Sequence, residues 1–197
     1  MSTKRAKTLT DAQFTQVLNE AASLSTDPLR ERVILLLSFK AGLRAAEIAG
    51  LDWSDVTDCM GTVRADALDV PSDIAKKGRA RTVPMHPALF QALVDLREAL
   101  PALELKPNQP VVRSRFTGRF SSNTLRVHMK YTFDKLGLSG VSSHSGRRTF
   151  ITKAARLANT HGCSLKDVQS IVGHAFIDTT ENYIDLSADV SKLVAAL

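Results

Sequence analysis

The sequence predicts an α+β fold that is mostly α-helical and carries a small antiparallel β-sheet on one edge. Three observations predict it. Apolar residues recur at helical spacing through most of the chain, as with Phe14, Val17, Leu18 and Ala21, or Leu89, Leu93, Leu96 and Leu100. Between Met60 and Pro84 the pattern changes to short stretches rich in Val, Ile and Thr, separated by turn formers. With 197 residues and 44% hydrophobic content, the chain has enough apolar surface for one substantial core.

The elements follow in order. Met1 to Lys7 reads as a basic arm whose ordinary fate is to fray, and Thr10-Asp11 opens the first helix, which ends at the Ser25 to Pro28 turn. Leu29 to Ala41 is a second helix whose Val33 to Leu37 run suits deep burial, and Gly42 is placed to stop it. Arg44 comes directly after that stop. It is either a surface arginine at a helix entry or a guanidinium that the core sets against a cleft. Thr62, Val63, Leu68, Val70 and Ile74, with Arg81, Thr82 and Val83, make the sheet, and Lys76 to Arg79 its hairpin turn. Pro87 to Leu100 is a core helix.

A Pro-rich link then leads to a loop crowded with Arg113, Arg115 and Arg119, suited either to clamping a DNA backbone or to carrying solvated charge. Ser121 and Ser122 cap a helix to about Leu136, with Leu125, Met129 and Phe133 turned inward. Arg126 and Lys130 share another face of it, which would enter a major groove or simply face water. His144 opens the helix that carries Arg147 to Ala158, Ser164 to Val172 forms the next, and Asp178-Thr179-Thr180 caps a short helix bearing Tyr183. In the tail, Val190, Leu193, Val194 and Leu197 make one apolar stripe.

Composition narrows the function classes. The formal charge of +6 and pI near 9.5 suit a polyanionic partner without identifying one. Cys59 and Cys163 lie far apart with no secretory apolar segment before them, so free thiols in a reducing cytoplasm are expected. The Val33 to Leu37 run is far too short to span a bilayer. His161, Cys163 and His174 lack a metal-ligand spacing, and the acidic residues are too scattered for a two-metal nuclease. Neither a metal nor a cofactor is expected.

The stretch from His144 to Tyr183 concentrates the chemistry. His144 and Arg147 stand one helical turn apart, and His174 precedes Tyr183 across a short polar connector. A guanidinium fork matches phosphate oxygens, imidazoles move protons near neutral pH and a phenol can be an oxygen nucleophile. An H-x-x-R pair alone arises often by chance. Here it continues an order that begins with Arg44 in AGLRAAEIAGLDW and a lysine in IAKKGRARTVP, then runs through HSGR and VGH to the tyrosine in TTENY.

That order resembles the tyrosine recombinases, the phage-type integrases, from about Leu9 to Asp185, and the small size is similar to that of the fimbrial inversion recombinases. The resemblance implies that fold and a catalytic set of Arg44, Lys76, His144, Arg147 and His174, with Tyr183 as nucleophile and Glu47 as a supporting acid. Lys77, one step from Lys76, stays an alternative for the lysine. Lys77, Arg79, Arg113, Arg115, Arg119, Arg126 and Lys130 are the expected DNA contacts. Residues 1–8 would be a basic arm, 9–185 the catalytic domain and 186–197 a helical tail that either packs on its own domain or docks in trans, with no N-terminal core-binding domain. The chain is then a minimal recombinase or a catalytic domain of a longer one.

The implied activity is cleavage and rejoining of DNA through a 3′-phosphotyrosyl intermediate, without cofactors. Expected partners are double-stranded DNA, further copies of the chain assembled on it as a dimer and then a tetramer, and accessory DNA-bending proteins, in the cytoplasm at the nucleoid. A type IB topoisomerase and a catalytically silent DNA-binding regulator are the alternatives. The chain departs from the family where Gly146 and Arg148 flank Arg147, in place of the more usual leucine-like residue and histidine.

Overall fold

The structure, a computed structural model, describes residues 6–115 and 118–173. Its organising element is helix α2, Pro28–Lys40, against which α1 (Asp11–Leu24), α4 (Pro87–Ala99) and α6 (Ser145–Leu157) pack. Val33 to Leu37 and Phe39 are all buried, so α2 is covered around its circumference rather than along one stripe. Fully burying each such side chain contributes about 1.5–3 kcal/mol. Helix starts are set locally. Thr10 accepts from the Gln13 amide while the Gln13 side chain accepts from the Thr10 amide, and Asp27 accepts from the Arg30 amide ahead of Pro28.

Gly42, at φ +67°, ends α2 and turns the chain into the short α3, Ala45–Gly50, which packs on α5 (Ser122–Lys135). Strands β1 (Ala67–Val70) and β2 (Arg81–Pro84) pair antiparallel, with Leu68 opposite Val83 and both buried. Helix α7, Leu165–Val172, packs on β2 and α6. Its Val168 and Val172 form a small second cluster with Ile151 and Ala158, apart from the main core.

Mostly helical with small antiparallel pairing is what the sequence predicts, with three local differences. The sheet is shorter than expected: Pro71 follows β1 with no amide to donate, and Ile74 lies beyond the strand, packed over Gly50. Thr62 is in no named strand and Val63 makes only an isolated bridge to Thr57. The arginine-rich loop contains a second hairpin, β3 (Arg113–Ser114) with β4 (Gly118–Arg119). Strands of two residues are too short to show an alternating pattern.

Candidate active site

The centre of the site is a buried carboxylate. Glu47 sits at the third position of α3, where its Oε2 accepts from the Arg44 amide at 2.8 Å, closing one half of a capping box. Its Oε1 accepts from Arg44 Nη1 at 2.8 Å, so the residue that starts α3 also fixes its own guanidinium. Arg44 remains half-buried. Arg147 comes from α6 and is buried, its Nη1 donating to the Gly42 carbonyl at 2.7 Å and its Nη2 to the Val172 carbonyl at 2.6 Å. Arg147 Nη1 lies 4.0 Å from Glu47 Oε2, which brings the two expected arginines to one carboxylate.

A third guanidinium, which the sequence reading missed, completes the cluster. Arg81 on β2 donates from Nη1 and Nη2 to the two Glu47 oxygens at 3.0 and 2.9 Å, and from Nε to the Ile171 carbonyl at 2.9 Å. Burial alone would push the Glu47 carboxyl up, but the hydrogen bonds and charge of Arg81, joined by those of Arg44, outweigh it and hold the group below its ordinary value. Glu47 is therefore an anion at neutral pH. It organises cations and is not poised to exchange a proton.

His144 caps α6 from an exposed position, its amide donating to Ser142 Oγ at 3.3 Å. Desolvation by flanking atoms, then the charges of Arg126, Arg147, Arg44 and Lys76, lower its pKa. Those four cations thus come from four separate segments to act on one imidazole, which is kept neutral and able to accept a proton. Lys76 is exposed in a 3-10 turn, Lys76–Gly78, at the tip of the β1–β2 hairpin, and Lys77 within it has φ +64°. His174 and Tyr183 lie outside the described residues, as does the apolar tail.

The expected DNA contacts divide into two groups. Lys77 and Arg79 are exposed in and directly after the turn that carries Lys76, and Arg126 is exposed on α5 and acts on His144 through its charge. Arg113 instead pairs with Glu104 at 3.2 Å and Gln109 at 3.0 Å, Arg119 holds Asp52 and the Gly50 carbonyl at 3.0 Å, and Lys130 pairs with Asp134 one turn away. Arg115 is exposed and has interactions of its own.

Comparison with known proteins gives the family. A model of the phage integrase family matches residues 7–189. The tyrosine recombinase XerC of Xylella fastidiosa is 33% identical over 159 residues, covering 80% of this chain and 49% of the relative. XerC of Rhodospirillum centenum is 29% identical over 177 residues, covering 88% of this chain and 48% of the relative. The chain thus spans about half the length of the curated relatives it matches. Among solved structures, XerA recombinase superposes with a TM-score of 0.68 at 26% identity, covering 96% of this chain and 64% of that one. The Tn1549 transposon integrase, in complex with a circular intermediate DNA, reaches a TM-score of 0.75 at 21% identity, with 99% and 66% coverage. A match over nearly the whole chain, with the arginines gathered at one carboxylate, establishes that the chain belongs to the phage integrase family.

Proposed function

We propose that the chain is the catalytic part of a site-specific DNA recombinase, cleaving and rejoining strands through a 3′-phosphotyrosyl bond to Tyr183. The observation that carries this reading is the gathering of Arg44 and Arg147 on buried Glu47 beside a neutral His144. Two guanidiniums set by hydrogen bonds before a ligand arrives would stabilise charge on the non-bridging oxygens as the pentavalent transition state forms. Free tyrosine has a pKa of about 10, so attack at neutral pH needs a proton acceptor. His144 suits that role, and His174 would add a hydrogen bond to phosphate. The Tyr183 oxygen bonds to phosphorus as the bond to the 5′ oxygen breaks, and Lys76 protonates that oxygen as it leaves. A 5′-hydroxyl from another strand reverses the step, conserving the energy of the phosphodiester.

Relatives named as recombinases, and an integrase solved on DNA, support the same reading. Two copies on a site, four in synapsis and trans docking of residues 186–197 belong to the proposal, as does a cytoplasmic, nucleoid-associated protein. No helix among the described residues is long and apolar enough to cross a membrane.

The test is covalent capture on a nicked target site. Tyr183→Phe should bind as the unmodified chain does yet form no denaturation-resistant adduct, and capture should survive excess chelator. An adduct in Tyr183→Phe, or activity lost in EDTA and restored by zinc or magnesium, overturns the mechanism. Relaxation of supercoils without strand exchange would favour a topoisomerase. Binding with no adduct at all would favour a silent regulator.

A further inference from the structure

The last carbonyls of a helix have no intrahelical donors and need partners from elsewhere. At the end of α7 two of them find guanidiniums: Ile171 O accepts from Arg81 Nε at 2.9 Å and Val172 O from Arg147 Nη2 at 2.6 Å. Gly173 follows at φ +66°, and a Cβ there would stand 3.1 Å from Arg81 Cδ, so the turn is closed directly over the Arg81 side chain. The next residue in the chain is His174. Arg81 also holds both oxygens of Glu47, the same carboxylate that fixes Arg44. Arg81 is 7% exposed and Glu47 1%, so this junction is shielded from solvent competition.

We propose that Arg81 is a positioning residue for strand cleavage: it locks the end of α7 to the Arg44–Glu47–Arg147 set and so fixes the point, Gly173, from which the chain continues to His174. The inference rests on the recombinase reading. Its chemistry is specific to arginine, because one planar fork serves three acceptors on two elements at once, which a lysine ammonium on a flexible stem cannot do in that geometry. A role limited to supplying positive charge beside Glu47 would be met by lysine.

The experiment compares unmodified protein, Arg81→Lys, His174→Ala and the double variant. Single-turnover adduct formation on a nicked site is measured alongside half-site binding and thermal melting. Arg81→Lys should keep half-site affinity close to that of the unmodified chain and, although the loss of part of a buried hydrogen-bond set lowers its melting temperature, should stay folded at the assay temperature, while its cleavage rate falls by about tenfold or more, since a small misplacement of a reacting group has effects of that order. In the His174→Ala background the same change should cost at most about twofold, because residues acting through one another are not additive. Gly173→Ala is a second variant, one that removes no guanidinium. It crowds the Arg81 side chain and should slow cleavage with the same dependence on His174.

Cleavage by Arg81→Lys at the unmodified rate overturns the inference. So does a loss undiminished without His174, or one accounted for by weaker binding or early melting. If Arg81→Lys does not fold, Gly173→Ala decides by the same two criteria. Absence of any Tyr183 adduct with the unmodified chain overturns the recombinase reading and this inference with it. A normal adduct with an unaffected Arg81→Lys overturns this inference alone.

Discussion

Gly146 stands one residue before Arg147, where α6 crosses α2, and a Cβ there would come within 2.1 Å of Ser38 Oγ and 2.8 Å of Ser38 Cβ. The departure from the family's leucine-like residue is therefore matched by a close helix crossing, which leaves Arg147 free to reach Gly42 and Val172. Gly146→Ala should destabilise the fold by about 1–3 kcal/mol through overpacking, read from urea unfolding. Ser38 Oγ is buried without a hydrogen-bond partner, so Ser38→Ala alone should be neutral or stabilising. In combination it should restore only part of the loss, because the Ser38 Cβ stays. An unperturbed Gly146→Ala would show that α2 and α6 lie farther apart. His144 yields a second expectation at this scale. Its pKa is depressed in the folded chain, so the unfolded chain takes up a proton more readily. The stability this contributes is fully present above the ordinary histidine value near 6.5 and is lost as pH falls through the lower folded value. His144→Gln should flatten the fall in melting temperature below that pH relative to the unmodified chain. Parallel curves would mean that neither desolvation nor the surrounding cations depress the imidazole.

The β1–β2 hairpin shows at the scale of an element what the sequence could and could not reveal. Its strands were legible from Leu68, Val70 and the Arg-Thr-Val-Pro run, and the helices from their caps, Thr10, Ser121 and Ser164, which act within three residues. Arg81 was not legible as a site residue, because its acceptors lie 34 and 90 positions away and no local pattern records such a meeting. Arg44, Glu47 and Arg147 were legible as an ordered motif set, while the way one carboxylate holds them together was not. The tip also separates the two lysines. Lys77 occupies the left-handed region, which costs a residue with a Cβ about 1 kcal/mol, so Lys77→Gly should keep or raise stability by up to that amount. Lys76→Ala should slow cleavage of an ordinary strand far more than of one whose bridging 5′ oxygen is sulfur, a leaving group that needs no acid. Equal losses on both substrates would move the general acid to Lys77 or reduce Lys76 to a phosphate contact.

Over the whole molecule, the net charge of +6 says only that a polyanion is attracted, whereas the pairing of each cation says which ones are available to it. Arg113 is committed to Glu104 and Gln109, Arg119 to Asp52 and the Gly50 carbonyl, and Lys130 to Asp134. Drawing any of these to phosphate would first break a pair that ties a hairpin or a helix turn to its neighbour. Lys76, Lys77, Arg79 and Arg126 are exposed around the hairpin tip and the start of α6, and Arg44 is half-buried at the centre of the same site. Binding to duplex DNA should therefore weaken steeply with salt, with a log–log slope reduced by about 0.9 for each phosphate contact removed. Lys77→Ala and Arg79→Ala should each lower the slope by about that amount, measured by gel shift across salt concentration, with melting temperature little changed. Arg119→Ala should do the reverse, lowering melting temperature while leaving the slope alone, because its loss frees Asp52 and uncouples β4 from the end of α3. A slope that drops with Arg119→Ala and holds with Arg79→Ala would put the DNA against the β3–β4 hairpin instead of the residues around Arg44 and His144.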